Sequence, residues 1–513
     1  PRPSDEAAAE AAADGLASVD DLGELLDVIE RRRRGGDLPG MLAAFRRFDD
    51  VAQTTEPTPI QKARRLDGRG VELAVEGDGR GAARCWEEAA RLYAELGDET
   101  RRHRVLGRLG ALRIDLGEDG GLDQVTASAE HLTAHPGEDG DATVALLRLA
   151  TVLLGLDRPD GALAALDRVD PDDAPDRAGE LWFLRGQALL RTGDTGGAVA
   201  ALRRSAGEAR ASGDPQAVAS PGLLLARTLS GGETGPDEEV FALLDEVISV
   251  LPSSPMRAAA HCDRGLALLA ADRPADAVAD LAEAIAAWTA EGMHEQAVHL
   301  RVDLAAGYLA AGRPLEAAEA AEEALPGLDG DAARRCRLVL AHAQKEMGEE
   351  DAAATFADLA EDAAGDGRHD AVAHFLEEAG GVLTALDRDA LAATRFAEAA
   401  EAAEKAGDPY GVVRTRRRAA MCLLWSGDAD EATAVMETAR AALAGLPPDN
   451  EPARVWETAL VSYDQARLLA QTGRLSEAAE NALAAADGFS TLDETEAAEE
   501  ATRLHTEIRA SLG

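Results

Sequence analysis

Four short stretches punctuate this chain in the same way: Gly312-Arg-Pro-Leu-Glu-Ala317, Asp272-Arg-Pro-Ala-Asp-Ala277, Gly427-Asp-Ala-Asp-Glu-Ala432 and Gly473-Arg-Leu-Ser-Glu-Ala478. In each, a Gly or Asp stands where a helix must stop, and Pro or acidic residues follow where the next helix begins. Glycine accepts the left-handed backbone that ends a helix, while proline and carboxylates suit a first helical turn. The same punctuation recurs at Gly77, Gly117, Asp157, Gly193, Gly348 and Asp387. Gly77 to Gly117 and Gly117 to Asp157 are each 40 residues, and Asp157 to Gly193 is 36. A fixed period of this size means a stacked repeat, because one short helix pair cannot bury its apolar face alone.

Between the turns the apolar residues follow helical spacing. A glycine often lies seven residues before the turn, as at Gly70, Gly110, Gly186, Gly265 and Gly380. Glycine inside a helix costs roughly 1 kcal/mol relative to alanine. Its return at one register therefore predicts close approach of a neighbouring helix. Beyond the turn, small and large apolar positions alternate at helical spacing, as in Ala82, Trp86, Ala89 and Ala392, Phe396, Ala399.

Trp182-x-x-x-Gly186-x-x-Leu189, followed by Gly193, Ala198 and Leu202, resembles the tetratricopeptide pattern of large residue, glycine, large residue, turn, small residue and large residue. The resemblance implies an all-α, right-handed superhelical solenoid of antiparallel helix pairs. It covers residues 57–491 as about eleven pairs, with an N-terminal helical cap at 1–56 and a closing helix within 492–513. The spacing exceeds the standard unit of the family, as in its regulatory members. The pair at 214–251 departs furthest, with Pro221 in its first helix and a Gly-rich insertion from Gly231 to Pro236, and an irregular bend is expected there.

Composition agrees with helices and narrows the partners. Apolar residues make up 46% of the 513 residues but aromatics only 3%, so alanine and leucine, both strong helix formers, supply the core. The formal net charge is −43, from 52 basic and 95 acidic residues, which opposes binding to nucleic acid or to anionic lipid. Only Lys62, Lys345 and Lys405 are lysines; with the alanine excess this suggests a GC-rich, bacterial gene. The longest apolar run, Val144 to Leu156, is short and interrupted by Arg148, and Pro1 to Asp14 lacks a signal-peptide pattern, so a cytoplasmic protein is expected. Cys85, Cys262, Cys336 and Cys422 lie far apart and read as packing residues.

No constellation for catalysis emerges, and no cofactor is expected. No Gly-Lys dipeptide exists, which removes a phosphate-binding loop, and no serine stands in Gly-x-Ser-x-Gly. Gly77-x-Gly79-x-x-Ala82 joins two helices rather than a strand and a helix. His294 and His299 are five apart, about 140° around a helix at ~100° per residue, so they cannot share a metal. His131 and His135 have the i,i+4 spacing of a metal pair, but no third ligand is evident and Pro136 follows at once. Carboxylate pairs such as Glu322-Glu323 and Glu377-Glu378 read as solvated faces of an acidic chain.

The expected function is a non-catalytic scaffold or adaptor that binds a partner segment in its groove. A sensor array of a larger signalling protein, of the ATPase-type transcription regulator or caspase-like protease kind, stays open beside it. The family register of groove-facing positions implies Arg64, Arg104 and Arg108 in the first two repeats, then Arg148, then Arg335, His342 and His374. Later it implies Arg414, Arg417 and Arg418 with Trp425, and then Tyr463 and Arg467. Val413–Trp425 carries four arginines and no acid, whereas Leu315–Leu325 carries four acids and no base. Two readings remain for these arginines: they hold an anionic or mixed-charge peptide beside Trp425 and Tyr463, or they pair with acids on adjacent helices. On the first reading, reversing Arg417 and Arg418 to glutamate spares the fold. The lysine-and-asparagine clamp of co-chaperone members is not expected, because the chain has only Asn450 and Asn481. Self-association through the terminal repeats is compatible with the pattern.

Overall fold

The computed structural model describes residues 16, 18–34, 37–135, 141–172, 175–232, 235–448 and 450–512. Among these residues there are α-helices and short 3₁₀ turns and no strand. The chain divides into two compact units, residues 1–250 and 251–513.

The first unit opens with α1 (Leu22–Arg34) and α2 (Leu38–Ala52), followed by α3 (Pro59–Val75) and α4 (Gly79–Glu95). Then come α5 (Glu99–Asp115), α6 (Gly121–Ala134), α7 (Asp141–Gly155) and α8 (Pro159–Leu166). It ends with α9 (Ala178–Thr192), α10 (Thr195–Ala211), α11 (Ala219–Ser230) and α12 (Glu238–Val250). The second unit holds α13 (Pro255–Ala270), α14 (Pro274–Ala290), α15 (His294–Ala310), α16 (Pro314–Ala324), α17 (Gly330–Met347) and α18 (Asp351–Gly365). It continues through α19 (His369–Ala385), α20 (Asp389–Ala406), α21 (Pro409–Ser426) and α22 (Ala429–Ala442) to α23 (Glu451–Gln471), α24 (Leu475–Thr491) and α25 (Thr495–Ser511). Within each unit consecutive helices pack in pairs, and the first helix of a pair also touches first helices beside it, as α5 touches α7 and α21 touches α23.

The repeated turn motif works through its backbone. All ten turn residues singled out above have positive φ, from 55° at Asp157 and Asp387 to 97° at Gly427. This left-handed residue lets the N–H groups that follow reach back to carbonyls of the helix just ended, as Asp194 N–H does to Leu189. Where aspartate follows the glycine it caps the next helix: Asp194 accepts from Gly197 N–H and Asp428 from Glu431 N–H. At the Asp272, Gly312 and Gly473 turns arginine follows, proline or leucine takes the first helical position, and the arginine pairs three residues on, as Arg313 does with Glu316 at 2.8 Å. These exposed, solvent-screened pairs contribute little to stability.

The recurring glycines are contact points. Gly70, Gly186, Gly265 and Gly380 each face the large residue sixteen positions later, namely Trp86, Leu202, Leu281 and Phe396. A Cβ on Gly186 would stand 2.7 Å from the Leu202 side chain, too close for any real packing. The large residue fills the space that the glycine leaves, and alanines at 0% exposure such as Ala82, Ala198 and Ala392 complete the tight interhelical seam.

Pro221 departs from expectation in its effect. A 3₁₀ turn (Pro215–Val218) precedes α11, which begins only at Ala219, so Pro221 lies in the first turn. There its missing N–H would have no intrahelical partner in any case. The Gly-rich connection to α12 includes residues 233–234, which lie outside the described residues, as do Pro1 to Asp14 and Pro136.

Candidate functional site

The arginine-rich α21 lies between α19 and α23, and its arginines reach carboxylates on both. Arg414 grips Glu377 of α19 with two nitrogens, at 2.8 and 2.9 Å, and Arg418 reaches the same carboxylate at 3.2 Å. Arg418 also lies over the Phe396 ring, 4.3 Å from its centroid. On the other side Arg417 pairs with the buried Asp464 of α23, which Arg467 also contacts at 3.4 Å. Burial works to raise Glu377, but the Arg414 hydrogen bonds and the two guanidinium charges outweigh it and hold the carboxyl below its ordinary range. The second sequence reading, pairing with acids on adjacent helices, therefore describes these side chains as they stand. It also revises the expectation for charge reversal: glutamate at 417 would face both Asp464 and Glu457, so that change attacks the fold.

Glu457 is the group here that sequence reasoning missed. It is 7% exposed, and neither its Oε2 nor the Arg417 Nε has a hydrogen-bond partner. Burial pushes its carboxyl up, against the pull of the Arg417 and Arg414 charges. Beside this network Trp425 is 42% exposed. Arg467 bridges it to Tyr463, with its guanidinium 5.6 Å from the Trp425 centroid and 5.9 Å from that of Tyr463. Tyr463 donates to Glu500 at 2.8 Å; burial and that bond push its phenol up to about 12.

The remaining second-unit candidates are scattered along α17 and α19. Arg335 and His374 are exposed, and the Arg335 charge pulls the half-buried Asp303 down against a larger upward push from burial. His342 packs edge-on to Phe356, ring centroids 5.2 Å apart, and burial holds its imidazole below the usual range.

In the first unit the same logic recurs on α1, α3, α5 and α7. Arg64 pairs with Asp27 at 2.9 Å, Arg108 with Asp67, and Arg104 with Asp141. Arg148 is half-buried opposite Gly107 of α5. The histidine pair proves to be a trio: His103 stacks on His131 with centroids 3.9 Å apart and planes 10° apart, and His131 stacks on His135 at 4.6 Å. Face-to-face rings aim their nitrogens sideways rather than at a common point. Among the described residues no group of three or more His, Cys, Asp or Glu side chains is placed to hold a metal. Nor is any helix among them long and apolar enough to cross a membrane.

The helix pairs, their left-handed turns and their glycine-to-large-residue seams define an all-α repeat fold of antiparallel helix pairs, like that of tetratricopeptide proteins. No protein-family model and no curated protein matches the sequence. Among solved structures, a tetratricopeptide repeat protein from Parabacteroides merdae is similar at 14% identity and TM-score 0.34, covering 55% of this chain and 99% of that one. The apo form of the quorum sensor NprR from B. thuringiensis is similar at 15% identity and TM-score 0.31, covering 66% of this chain and 100% of its own. A Rap protein complexed with competence and sporulation factor is similar at 15% identity and TM-score 0.28, covering 67% and 99%.

Proposed function

We propose that this protein is a non-catalytic scaffold that holds a segment of a partner protein against its row of first helices. In the second unit the anchor is the Trp425, Tyr463 and Arg467 surface. The observation that carries the reading is the exposed Trp425 ring with Arg467 set over both it and Tyr463, on helices whose other arginines are already paired. Tryptophan, tyrosine and arginine are the side chains that most often dominate interface energies, and here each is held in place before a partner arrives. Arg414, Arg417 and Arg418 then act as organisers of carboxylates. The surface they present is of mixed charge, which suits a mixed-charge segment better than a purely anionic one. Arg335, His342 and His374 extend the same row on α17 and α19, and Arg104, Arg108 and Arg148 form its counterpart in the first unit.

Affinity capture from the source cells with wild-type protein and with Trp425→Ala tests this. A protein retained by the wild type and lost by the variant, at unchanged melting temperature, supports the reading. Equal capture by both counts against the anchor.

A further inference from the structure

The first unit contains a partly open space that shares Arg104 and Arg108 with the row of the scaffold reading and adds groups which that reading leaves unassigned. A cavity of about 240 Å³ lies where α1 and α2 meet α3, α4 and α5. Arg64, Arg101, Arg104 and Arg108 all line it, with Tyr93 among them. Four guanidiniums around so small a space are conspicuous in a chain of net charge −43.

Asp27, Glu30 and Asp67 also line the cavity, so the sign of its preference depends on which hydrogen-bonding groups are already engaged. Asp27 receives Arg64 Nη2 at 2.9 Å, and Asp67 receives Arg108 Nη1. Arg101 turns Nη1 to Asp98, and Arg104 is held by Asp141; neither acid lines the cavity. An arginine offers five N–H donors and no acceptor. Arg64, Arg101 and Arg108 each give one terminal nitrogen to an acid among the described residues, which leaves a donor edge on each fork. Asp27 and Asp67 each fix a lining arginine, and with Glu30 the lining holds four guanidiniums against three carboxylates, so the free edges of Arg64, Arg101 and Arg108 give it an excess of donors. The Tyr93 hydroxyl adds another; burial and the Asp67 charge push its phenol up, so it stays protonated at neutral pH. One wall, from Leu26, Ile29 and Met41 on α1 and α2, is apolar.

We propose that this cavity binds a compact oxyanion, a carboxylate or a phosphate, on a carrier whose apolar part rests against Leu26, Ile29 and Met41. Fixed guanidinium edges match the paired oxygens of either group, and such charge-assisted bonds are roughly twice as strong as neutral ones. The acidic exterior disfavours loose anion binding, so occupancy depends on this donor geometry.

Calorimetric titration of the full chain at constant ionic strength tests the site with three probes: inorganic phosphate, acetate, and an end-capped peptide bearing a single glutamate. Chloride at matched ionic strength is the control. Saturable one-to-one binding of any probe is expected, and which probe binds identifies the carrier as a free anion or an acidic side chain. The charge-neutral double change Arg64→Gln with Asp27→Asn should weaken binding about tenfold or more. Tyr93→Phe, which removes a single hydroxyl and leaves the packing, should weaken it as well. Trp425→Ala, in the other unit, should leave it unchanged, which separates this site from the scaffold anchor. Heats indistinguishable from chloride for all three probes, or undiminished binding in Tyr93→Phe and in the double variant, would overturn the proposal.

Discussion

A Cβ added to Gly380 of α19 would stand 2.8 Å from the ring of Phe396 on α20, and that ring is fully buried. Two effects then oppose each other in Gly380→Ala. Helix propensity favours alanine by about 1 kcal/mol, whereas overpacking a rigid core costs about 1–3 kcal/mol. The ring has no space to retreat, so the variant is expected to be less stable by up to roughly 2 kcal/mol, read from urea unfolding. Adding Phe396→Leu should make the alanine less costly than it is alone. At Gly207 on α10, where an added Cβ meets nothing within 4 Å, the same change should stabilise. A stabilising Gly380→Ala would show that the seam is slack.

This relationship also marks how far the sequence can be read. Gly380 and Phe396 are sixteen residues apart, within one helix pair, and their types alone announce a close approach. The left-handed turns are legible for the same reason, since Gly427 or Asp387 settles its own backbone. The ion pairs are not. Arg414 finds Glu377 across 37 residues and Arg417 finds Asp464 across 47, from one first helix to another. With 95 acids to choose from, only the stacking offset of neighbouring helices selects those partners. His103 eluded the sequence similarly, arriving beside His131 from the preceding helix.

Arg417 is expected to be a stability residue before it is anything else. Its pair with Asp464 is buried, and removing one member of a buried pair typically costs about 3–5 kcal/mol because the other charge is stranded. Arg467 still touches Asp464 and softens the loss, so Arg417→Met should cost about 3 kcal/mol. Arg418→Met, whose side chain is 36% exposed and whose partner Glu377 keeps Arg414, should cost well under that. Paired melting curves of the two variants decide the ranking, and equal losses would contradict it.

Glu457 is expected to oppose stability at neutral pH. Burial raises its carboxyl above the unfolded value, so the folded state prefers the protonated acid. Its relative contribution is most favourable below the unfolded pKa and is lost as pH rises through the folded one. Glu457→Gln mimics the protonated form, so it should raise the melting temperature at pH 7, with a gain that shrinks as the pH is lowered toward 4. A gain independent of pH would place the cause in packing rather than in charge.

The stack of His103, His131 and His135 is expected to make the first unit acid-sensitive. Burial, and next the charge that His131 would carry, hold His103 below its ordinary value; Glu99, with a carboxylate oxygen 3.8 Å from the His103 Nε2, works the other way. A histidine with a depressed folded pKa favours the neutral form. Its contribution is therefore complete above the unfolded value near 6.5 and lost as pH falls through the folded one. Protonation would also set two cations face to face at 3.9 Å. The melting temperature should fall between pH 7 and pH 5, and His131→Phe, which keeps a stacked ring without the titrating nitrogens, should flatten that fall. Hydrogen exchange localises the effect: α5 and α6 should lose protection on acidification while α9 and α10 keep theirs. Uniform loss across the unit would assign the acid sensitivity to its carboxylates instead.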